Sequence, residues 1–525
     1  MSETTDALNA HFGNCCRVLF REDVGPVSKF DSYLCGLIDA NRSEKSVVSG
    51  KGVELGVKEY SRNSRFVSFD EVDFGKGYPA IPLDSVDSLE SLVSLFSSRL
   101  AYCGNVVLGN SGFVEKSTNI SDCFYVYGSS LYGDSKYLYN CSVGRESSDL
   151  FGVHAPGESR MCMRCTQTYK TVRCFEVWAC QNCMDCYYSF SLQNCNDCMF
   201  CFNLKNRKNC IGNVQLSPDR YREVKARLLS GMASGLRNDG KLPSLMEIIF
   251  KCKKVKPRVP PQEEPDFSGG KEAVEKAFSD TSRIVLGVEL EGIDKHKGWL
   301  LAHTHTMGEV KSAASGRRVL FIPYVIALPP IDLGRIVTFA EGQWLGENTS
   351  IGIEAAQSLS LENVHEVLGE IAFYPVEIYE GKNSNLTECS LTIDCSYCYL
   401  SSAQVYSKYC SCGMWPRSSE HVFGFDTLWD CSFCIKCYHG VKLKRCFEVD
   451  QSSGSSDCYF CHNVENCHDC ILCFNAKNLK YAIGNSVYPR EEYMRIKKIV
   501  LSEVAERIKE DGGFPLSVYD VASRR

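Results

Sequence analysis

The sequence predicts a mainly β protein with flanking α-helices, built as a tandem duplication of a unit that contains a β-solenoid of about twelve residues per coil. Three observations indicate this fold class. The second half of the chain repeats the first at a constant offset, each copy carries a shorter repeat of twelve residues, and helix-start signals follow each repeated region. Strict short periods are typical of architectures in which each repeat stacks on its neighbour.

The longer repeat indicates the duplication. RCFEV occurs at Arg173 and again at Arg445, and CFNLKN at Cys201 is matched by CFNAKN at Cys473. The joint is residues 251–270, basic at first and then rich in proline and acidic residues, which favours a solvated linker over a nucleic-acid contact. Because a duplicated gene most simply keeps an interface that the single unit already made with itself, we expect the copies to pack as a fused dimer.

The shorter repeat predicts the coils, because every twelfth residue falls in a column of small or apolar side chains. In the first copy this column is Val126, Leu138, Leu150, Cys162, Cys174, Cys186, Cys198 and Cys210, and in the second copy it is Cys398, Cys410, Val422, Cys434, Cys446, Cys458, Cys470 and Ala482. No helical period competes with it. Coils would stack about 4.8 Å apart, as paired strands do. The Asn and Asp residues before many cysteines suit the corners of such coils.

The 31 cysteines admit three interpretations. Between the copies, Cys exchanges with Val, Leu, Ala and Ser at equivalent positions, which is the behaviour of a small core residue. The recurring C-x-x-C spacing is also a zinc signal where two pairs converge on a tetrahedral site. Cysteines one coil apart would lie within disulfide distance in an oxidising environment. We favour the core interpretation and predict no metal ligand, no cofactor and no catalytic residue.

Motifs for catalysis are few. The H-x-H of His303 and His305 is similar to that of zinc-dependent isopeptidases of the JAMM type, but Ser312 sits one place early and Gly316 stands where that family has an Asp. Two histidines at alternate strand positions are instead expected at the surface. The sequence has no Walker loop, no G-x-G-x-x-G and no nucleophile elbow, so we predict that the protein is not an enzyme.

Composition and charge restrict the partners and the compartment. A formal charge of −6 over 525 residues predicts no general affinity for nucleic acid or for acidic membranes. The N-terminus has no signal-peptide pattern, and the longest apolar stretch, residues 319–331, is too short to span a bilayer. We therefore expect a cytoplasmic protein, or a virion protein if its source is viral, with reduced thiols and with protein partners or self-association.

Helices are predicted on both sides of each solenoid. Amphipathic segments at 88–100 and 360–371 are expected to cap the first coils, and Ser217–Pro218 and Tyr488–Pro489 mark helices expected to close the last coils. The predicted divisions are a mixed α/β region at 1–118, the first solenoid at 119–216, a helical cap at 217–250, the linker at 251–270, a second mixed region at 271–387, the second solenoid at 388–487 and a second cap at 488–525.

The closing motif of each copy carries a family resemblance. CMFCFNLKNRKNCIGNVQLSPDRY and CILCFNAKNLKYAIGNSVYPREEY are similar to the closing motif of an uncharacterised family of cysteine-rich coil-repeat proteins from candidate-phyla bacteria and from tailed-virus and metagenomic viral genomes. Some of its members are labelled CaiB/BaiF, after a coenzyme A transferase family, and nothing in this sequence supports that chemistry. The second motif departs from the family at Ala482, where the usual Cys is absent. The resemblance implies a fold and a viral setting, and no activity.

Two functions remain open. The first is a non-enzymatic structural or protein-interaction protein, including a component of a phage-type particle. The second is a thiol-rich protein that binds zinc or an iron–sulfur cluster or performs redox chemistry. The duplication, the predicted caps and the lack of a catalytic set favour the first.

Overall fold

The computed structural model describes residues 2–326 and 330–523, so residues 327–329 of the apolar stretch noted above lie outside the described part. The chain forms two compact units, each assembled from three segments. Unit 1 contains residues 1–42, 105–265 and 309–377, and unit 2 contains residues 43–104, 266–308 and 378–525. Most of the regular structure is parallel β-sheet with some helices, which confirms the predicted mainly β class.

The first ladder, as we call the large sheet of unit 1, has 16 strands. Except at its two ends, its strands pair in parallel with partners twelve residues away: Leu138 faces Leu150, and Cys162 faces Cys174. The predicted column of every twelfth residue is therefore observed. The strands are Val107–Leu108, Gly112–Glu115, Thr118–Ser121, Phe124–Tyr127, Ser130–Gly133, Lys136–Tyr139, Ser142–Arg145, Ser148–Phe151, His154–Gly157, Arg160–Met163, Thr166–Tyr169, Val172–Gln181, Met184–Phe190, Asn196–Met199, Lys208–Ile211 and Val214–Gln215.

The second ladder, the large sheet of unit 2, has 15 strands with the same register. Cys398 faces Cys410, and Cys470 faces Ala482, again twelve residues apart. The strands are Ile378–Glu380, Ser384–Ile393, Ser396–Val405, Lys408–Cys412, Pro416–Arg417, Glu420–Gly424, Leu428–Trp429, Ser432–Ile435, Gly440–Val441, Phe447–Asp450, Ser456–Glu465, His468–Ile471, Phe474–Lys477, Lys480–Ile483 and Ser486–Val487.

A period of three residues, which the sequence analysis did not detect, lies inside the period of twelve. Residues with positive φ recur at every third position, as at Asn140, Val143, Glu146 and Asp149. The backbone therefore turns four times in each repeat of twelve residues. Asn and Asp tolerate the left-handed conformation better than most residues, so their abundance before the cysteines follows from these turns, as predicted.

Each ladder ends in a turn that folds back on the last long strand. Lys208–Ile211 pairs antiparallel with Val214–Gln215, and Lys480–Ile483 pairs in the same way with Ser486–Val487. Within the second turn, the Asn485 side-chain amide accepts from the Phe474 N–H at 2.9 Å and donates to the Phe474 carbonyl at 2.7 Å. The turn and the amide thus take the place of one more parallel strand and satisfy the strand edge.

Helices flank the ladders. Pro218–Asp239 begins at the predicted Ser217 cap, and Arg490–Asp511 begins after Pro489. The two helices, which we expected to close the last coils, contact the last long strands, Lys208–Ile211 and Lys480–Ile483. Lys225 of the first helix also lies beside Tyr187, on the outer face of the ladder. The remaining helices are Glu3–Phe20, Asp31–Leu34, Leu89–Phe96, Leu245–Lys251, Lys271–Leu286, Lys297–Leu301, Pro323–Ile326, Phe339–Asn348, Ile353–Ser358 and Val364–Val367.

Among the described residues, four short strand pairs lie outside the ladders. They are Arg42–Lys45 with Gly52–Leu55, Phe66–Ser68 with Tyr102–Gly104, Gly308–Lys311 with Arg318–Phe321, and Ile336–Val337 with Tyr374–Pro375. The segments 88–100 and 360–371 were expected to cap the first coil of the ladder that follows each of them. Each segment belongs instead to the unit of the other ladder. Residues 43–104 belong to the unit of the second ladder, and residues 309–377 belong to the unit of the first.

In the described part of the chain, no helix combines the length and the apolar character that crossing a membrane requires.

Candidate functional site

The cysteines of the first ladder point inward, and so do those of the second ladder except Cys412. Every third residue of the first ladder, the one after each positive-φ residue, enters a core of small and apolar side chains. Cys195, Cys198 and Cys201 are three successive members, each fully buried. The C-x-x-C spacing is therefore a product of the three-residue period, and it arises without a metal site to explain it.

Thiols in this core bond to the backbone. Cys141 Sγ donates to the Tyr139 carbonyl at 3.4 Å and also lies 3.4 Å from the Leu150 carbonyl. Ser129, one repeat earlier in the same column, donates to the Tyr127 carbonyl at 3.0 Å and accepts from the Cys141 N–H at 3.0 Å. A hydroxyl and a thiol thus fill the same position with the same partners, which explains why Cys and Ser exchange between the copies.

The buried thiols are poor nucleophiles and poor ligands in their protonated form. Burial raises the pKa of Cys141 and that of Cys395 to about 12. All 31 cysteines are free of disulfides. Because the thiolate is the reactive form, thiols such as these two stay inert near neutral pH. Hydrogen bonds from neighbouring thiols instead lower the pKa of Cys183 and Cys198, so the thiols of the core are not all alike.

Metal binding by the cysteines was one of the interpretations that the sequence left open. Across residues 2–326 and 330–523, no group of three or more His, Cys, Asp or Glu side chains is arranged to hold a metal ion. The metal-binding alternative therefore has no assigned site and depends on direct measurement.

Unit 2 contains a buried polar cluster that the sequence analysis did not identify. We call it the histidine–aspartate cluster; its members are His305, Asp426, His439, Asp450 and His462. Asp450 and His462 are fully buried, whereas the His305 side chain is 28 % exposed. The ionisable groups therefore extend from the interior of the unit to its surface.

Asp450 is the centre of this cluster. It accepts hydrogen bonds from His462 Nδ1 at 2.8 Å and from the Tyr60 hydroxyl at 3.0 Å on one oxygen, and from His439 Nδ1 at 3.3 Å and the Tyr519 hydroxyl at 3.4 Å on the other. Burial raises the pKa of this carboxyl, but the hydrogen bonds from the two histidines outweigh that effect and lower its pKa to about 2. Asp450 is therefore an anion that joins three distant stretches of the unit.

The two histidines bonded to Asp450 differ in charge state. His462 Nε2 accepts the Cys103 N–H at 2.9 Å, so His462 carries its proton on Nδ1 and is neutral in this arrangement. Burial lowers the pKa of His439, but Asp450 and the charge of Asp426 raise it to about 9. His439 is therefore an imidazolium ion held between two carboxylates near neutral pH.

At the outer end of the cluster, His305 Nδ1 lies 3.4 Å from Asp426 Oδ2, and this carboxylate raises the histidine pKa against the effect of burial. His303 is part-buried, with its ring 5.3 Å from that of Tyr519. Burial and then the charge of Lys436 lower the pKa of His303. The H-x-H motif that we expected at the surface is thus half-buried, and only His305 joins the cluster.

The described part of unit 1 has no equivalent of this cluster. The positions of His439, Asp450 and His462 are occupied there by Gln167, Trp178 and Phe190, their counterparts in the first copy. A signal was available in the sequence, because Asp450 and His462 are paired one repeat apart and lie between Tyr438 and Phe474 in the same column. Tyr60 and Tyr519 gave no such signal.

A buried ion pair is shared by both units. Arg164 bonds to Glu176 at 2.6 Å, and at the equivalent positions Lys436 lies 3.7 Å from Glu448. Burial raises the pKa of Glu448 to about 7, although Lys436 opposes the shift. The second carboxylate oxygen accepts a backbone N–H from the C-terminal part of the same copy, that of Leu245 in unit 1 and that of Val518 in unit 2. The repeated RCFEV motif thus anchors the chain that follows each ladder.

The charge of His439 predicts a pH dependence of stability. The folded-state pKa of His439 is about 9, above its ordinary value of 6.5. The protonated imidazole therefore stabilises the fold fully below pH 6.5, and this stabilisation is lost as the pH rises through 9. We expect the loss to approach about 3 kcal/mol. Urea unfolding at pH 6.5 and pH 9.5 measures it. His439→Gln, which places the residue of unit 1 here, should remove this part of the pH dependence, and the difference between the two proteins gives its size. The parts that remain come from Glu448 and from buried thiols such as Cys141, whose raised pKa values also make the fold less stable as the pH rises.

Comparison with protein-family models, curated proteins and solved structures gives no significant match to this chain in any of the three. The fold and the site define a mainly β, cysteine-rich repeat protein.

Proposed function

We propose that the protein is a non-enzymatic structural or protein-interaction protein. Each unit is proposed to be a β-solenoid of twelve-residue coils with flanking helices, produced by tandem duplication. The observation that supports this function best is the bonding of the thiols: Cys141 and its counterparts donate to backbone carbonyls inside the ladder, so the most abundant reactive group of the chain is used for packing.

The outer faces of the ladders supply the surface for partners. Phe113, Tyr125 and Tyr137 stack in a column, with ring centroids 4.6 Å and 5.2 Å apart, and Phe113 is 42 % exposed. Regularly stacked aromatic side chains on a rigid support lose little entropy on binding and suit protein partners or self-association. With the resemblance of the closing motif, this surface fits a cytoplasmic protein or a component of a virus particle.

The metal-binding or redox alternative is tested by the thiols themselves. Cys174→Ala and Cys446→Ala should each cost on the order of 1 to 2 kcal/mol of unfolding free energy, because each removes one small buried side chain. We expect the wild-type protein, purified without oxygen, to contain no stoichiometric zinc or iron by elemental analysis. Stoichiometric metal that disappears in these two variants would establish the alternative and overturn the proposal.

A further inference from the structure

The closing turn of each ladder is covered by a segment that precedes the other ladder in the sequence. In unit 2, the Phe96 ring lies on Gly484, and in unit 1 the Ile351 side chain lies on Gly212. Gly212 and Gly484 occupy equivalent positions of the two copies, with φ of 53° and 52°. A Cβ atom at either glycine would collide with the covering side chain. Each turn therefore has a flat face that receives one apolar residue.

A matched hydrogen bond accompanies this contact in each unit. Asn475 Nδ2 donates to the Ala101 carbonyl at 2.8 Å, and Asn203 Nδ2 donates to the Phe373 carbonyl at 2.8 Å. The two asparagines are likewise equivalent between the copies, in CFNLKN and CFNAKN. The covering segments, residues 43–104 and 309–377, are thus held in the same way on equivalent surfaces.

Both segments are also part of the apolar core of the unit that they cover. Leu92 and Phe96 are fully buried in the cluster of unit 2, with side chains from the second ladder such as Ile483. Ile336 and Tyr374 are fully buried in the cluster of unit 1, with side chains from the first ladder such as Phe190. Removing either segment would expose apolar surface on both sides of the contact.

We infer that the two copies exchange these segments reciprocally, so that each half of the chain is a binding partner for the other. Residues 43–104 of the first half complete the unit of the second ladder, and residues 309–377 of the second half complete the unit of the first. In each unit the recognition surface consists of the closing turn with its glycine, Gly212 or Gly484, and the asparagine that precedes this glycine by nine residues, Asn203 or Asn475. The linker is then not needed to hold the halves together.

The test starts from the full chain. A protease site inserted between Pro265 and Asp266, both exposed, allows the linker to be cut after the protein has folded. We expect the two fragments to elute together in size-exclusion chromatography at the 58.8 kDa of the uncut chain and to separate only in denaturant. Elution as two particles of about half that mass under native conditions would overturn the inference.

A disulfide distinguishes exchange from simple side-by-side association. Ser64 and Ser523 are antiparallel bridge partners within unit 2, which places their Cα atoms within the range that a disulfide spans. After oxidation, linker cleavage and blocking of the remaining thiols, Ser64→Cys with Ser523→Cys should give one full-length band on a non-reducing denaturing gel. Ser64→Cys alone should give two fragments. Co-eluting fragments without the joined band would also overturn the inference.

Discussion

Replacing Asp450 with Ala is expected to destabilise unit 2 by about 3 to 5 kcal/mol, while unit 1 remains folded. The carboxylate accepts four hydrogen bonds, and its loss leaves the buried imidazolium of His439 without its closest counterion. The Tyr60 and Tyr519 hydroxyls and His462 Nδ1 lose their acceptor as well. Unsatisfied buried donors and an unpaired buried charge are among the few changes that cost this much.

Hydrogen exchange followed by mass spectrometry locates the effect. Peptides from residues 378–523 should lose protection in Asp450→Ala, and peptides from residues 105–265 should keep it. Asp457→Ala is the matched control, because Asp457 lies in the same ladder but pairs with Arg445 at the surface, where the arginine is 44 % exposed. That control should cost about 1 kcal/mol or less. Equal losses in the two variants would show that the buried cluster has no special role in stability.

The ladders could be predicted from the sequence because their physics is local and periodic. Parallel pairing of strands twelve residues apart places Leu138 opposite Leu150 and Cys398 opposite Cys410, so a column of compatible side chains at every twelfth residue indicates the pairing. The three-residue period was present in the same data, in the run Cys195, Cys198 and Cys201. The sequence alone leaves zinc as an alternative to core packing for this spacing, because the left-handed corner before each residue is a backbone property that side-chain identity reports only weakly.

The histidine–aspartate cluster could not be predicted in full. Asp450 and His462 are neighbours in one column, but Tyr60 lies 390 residues from Asp450 in the sequence and reaches it only through the tertiary fold. The twelve-residue period predicts which residues of a ladder are paired, such as Asp450 and His462. It does not predict the position of a non-repeated segment, such as the one that contains Tyr60.

The exchange of segments was also beyond sequence reasoning, for a different reason. The long repeat gives both ladders the same closing turn, so the residue pattern of a turn does not indicate which segment covers it. Asn203 and Asn475 make the same hydrogen bond to their covering segments, and neither residue specifies which copy supplies the carbonyl.

The contact between Gly484 and Phe96 gives the second large prediction. Gly484→Ala is expected to destabilise unit 2 by about 3 kcal/mol, because the new methyl group meets the Phe96 ring and because φ of 52° is unfavourable for Ala. Phe96→Ala should cost about 3 to 5 kcal/mol, since Phe96 is fully buried. Gly454→Ala is the matched control for the backbone: its φ is 59°, and its Cβ would meet only the Asn466 side chain, so it should cost about 1 kcal/mol.

A double-mutant cycle separates the steric part of this effect from the backbone part. In Phe96→Ala the ring that obstructs the new methyl group is gone, so adding Gly484→Ala to it should cost only about 1 kcal/mol, the same as the Gly454 control. Urea unfolding of the four proteins measures the coupling, which we expect to be about 2 kcal/mol. Additive costs, to within about 0.5 kcal/mol, would show that residue 96 does not lie on the closing turn of the second ladder. That result would also remove the contact through which residues 43–104 are proposed to recognise it.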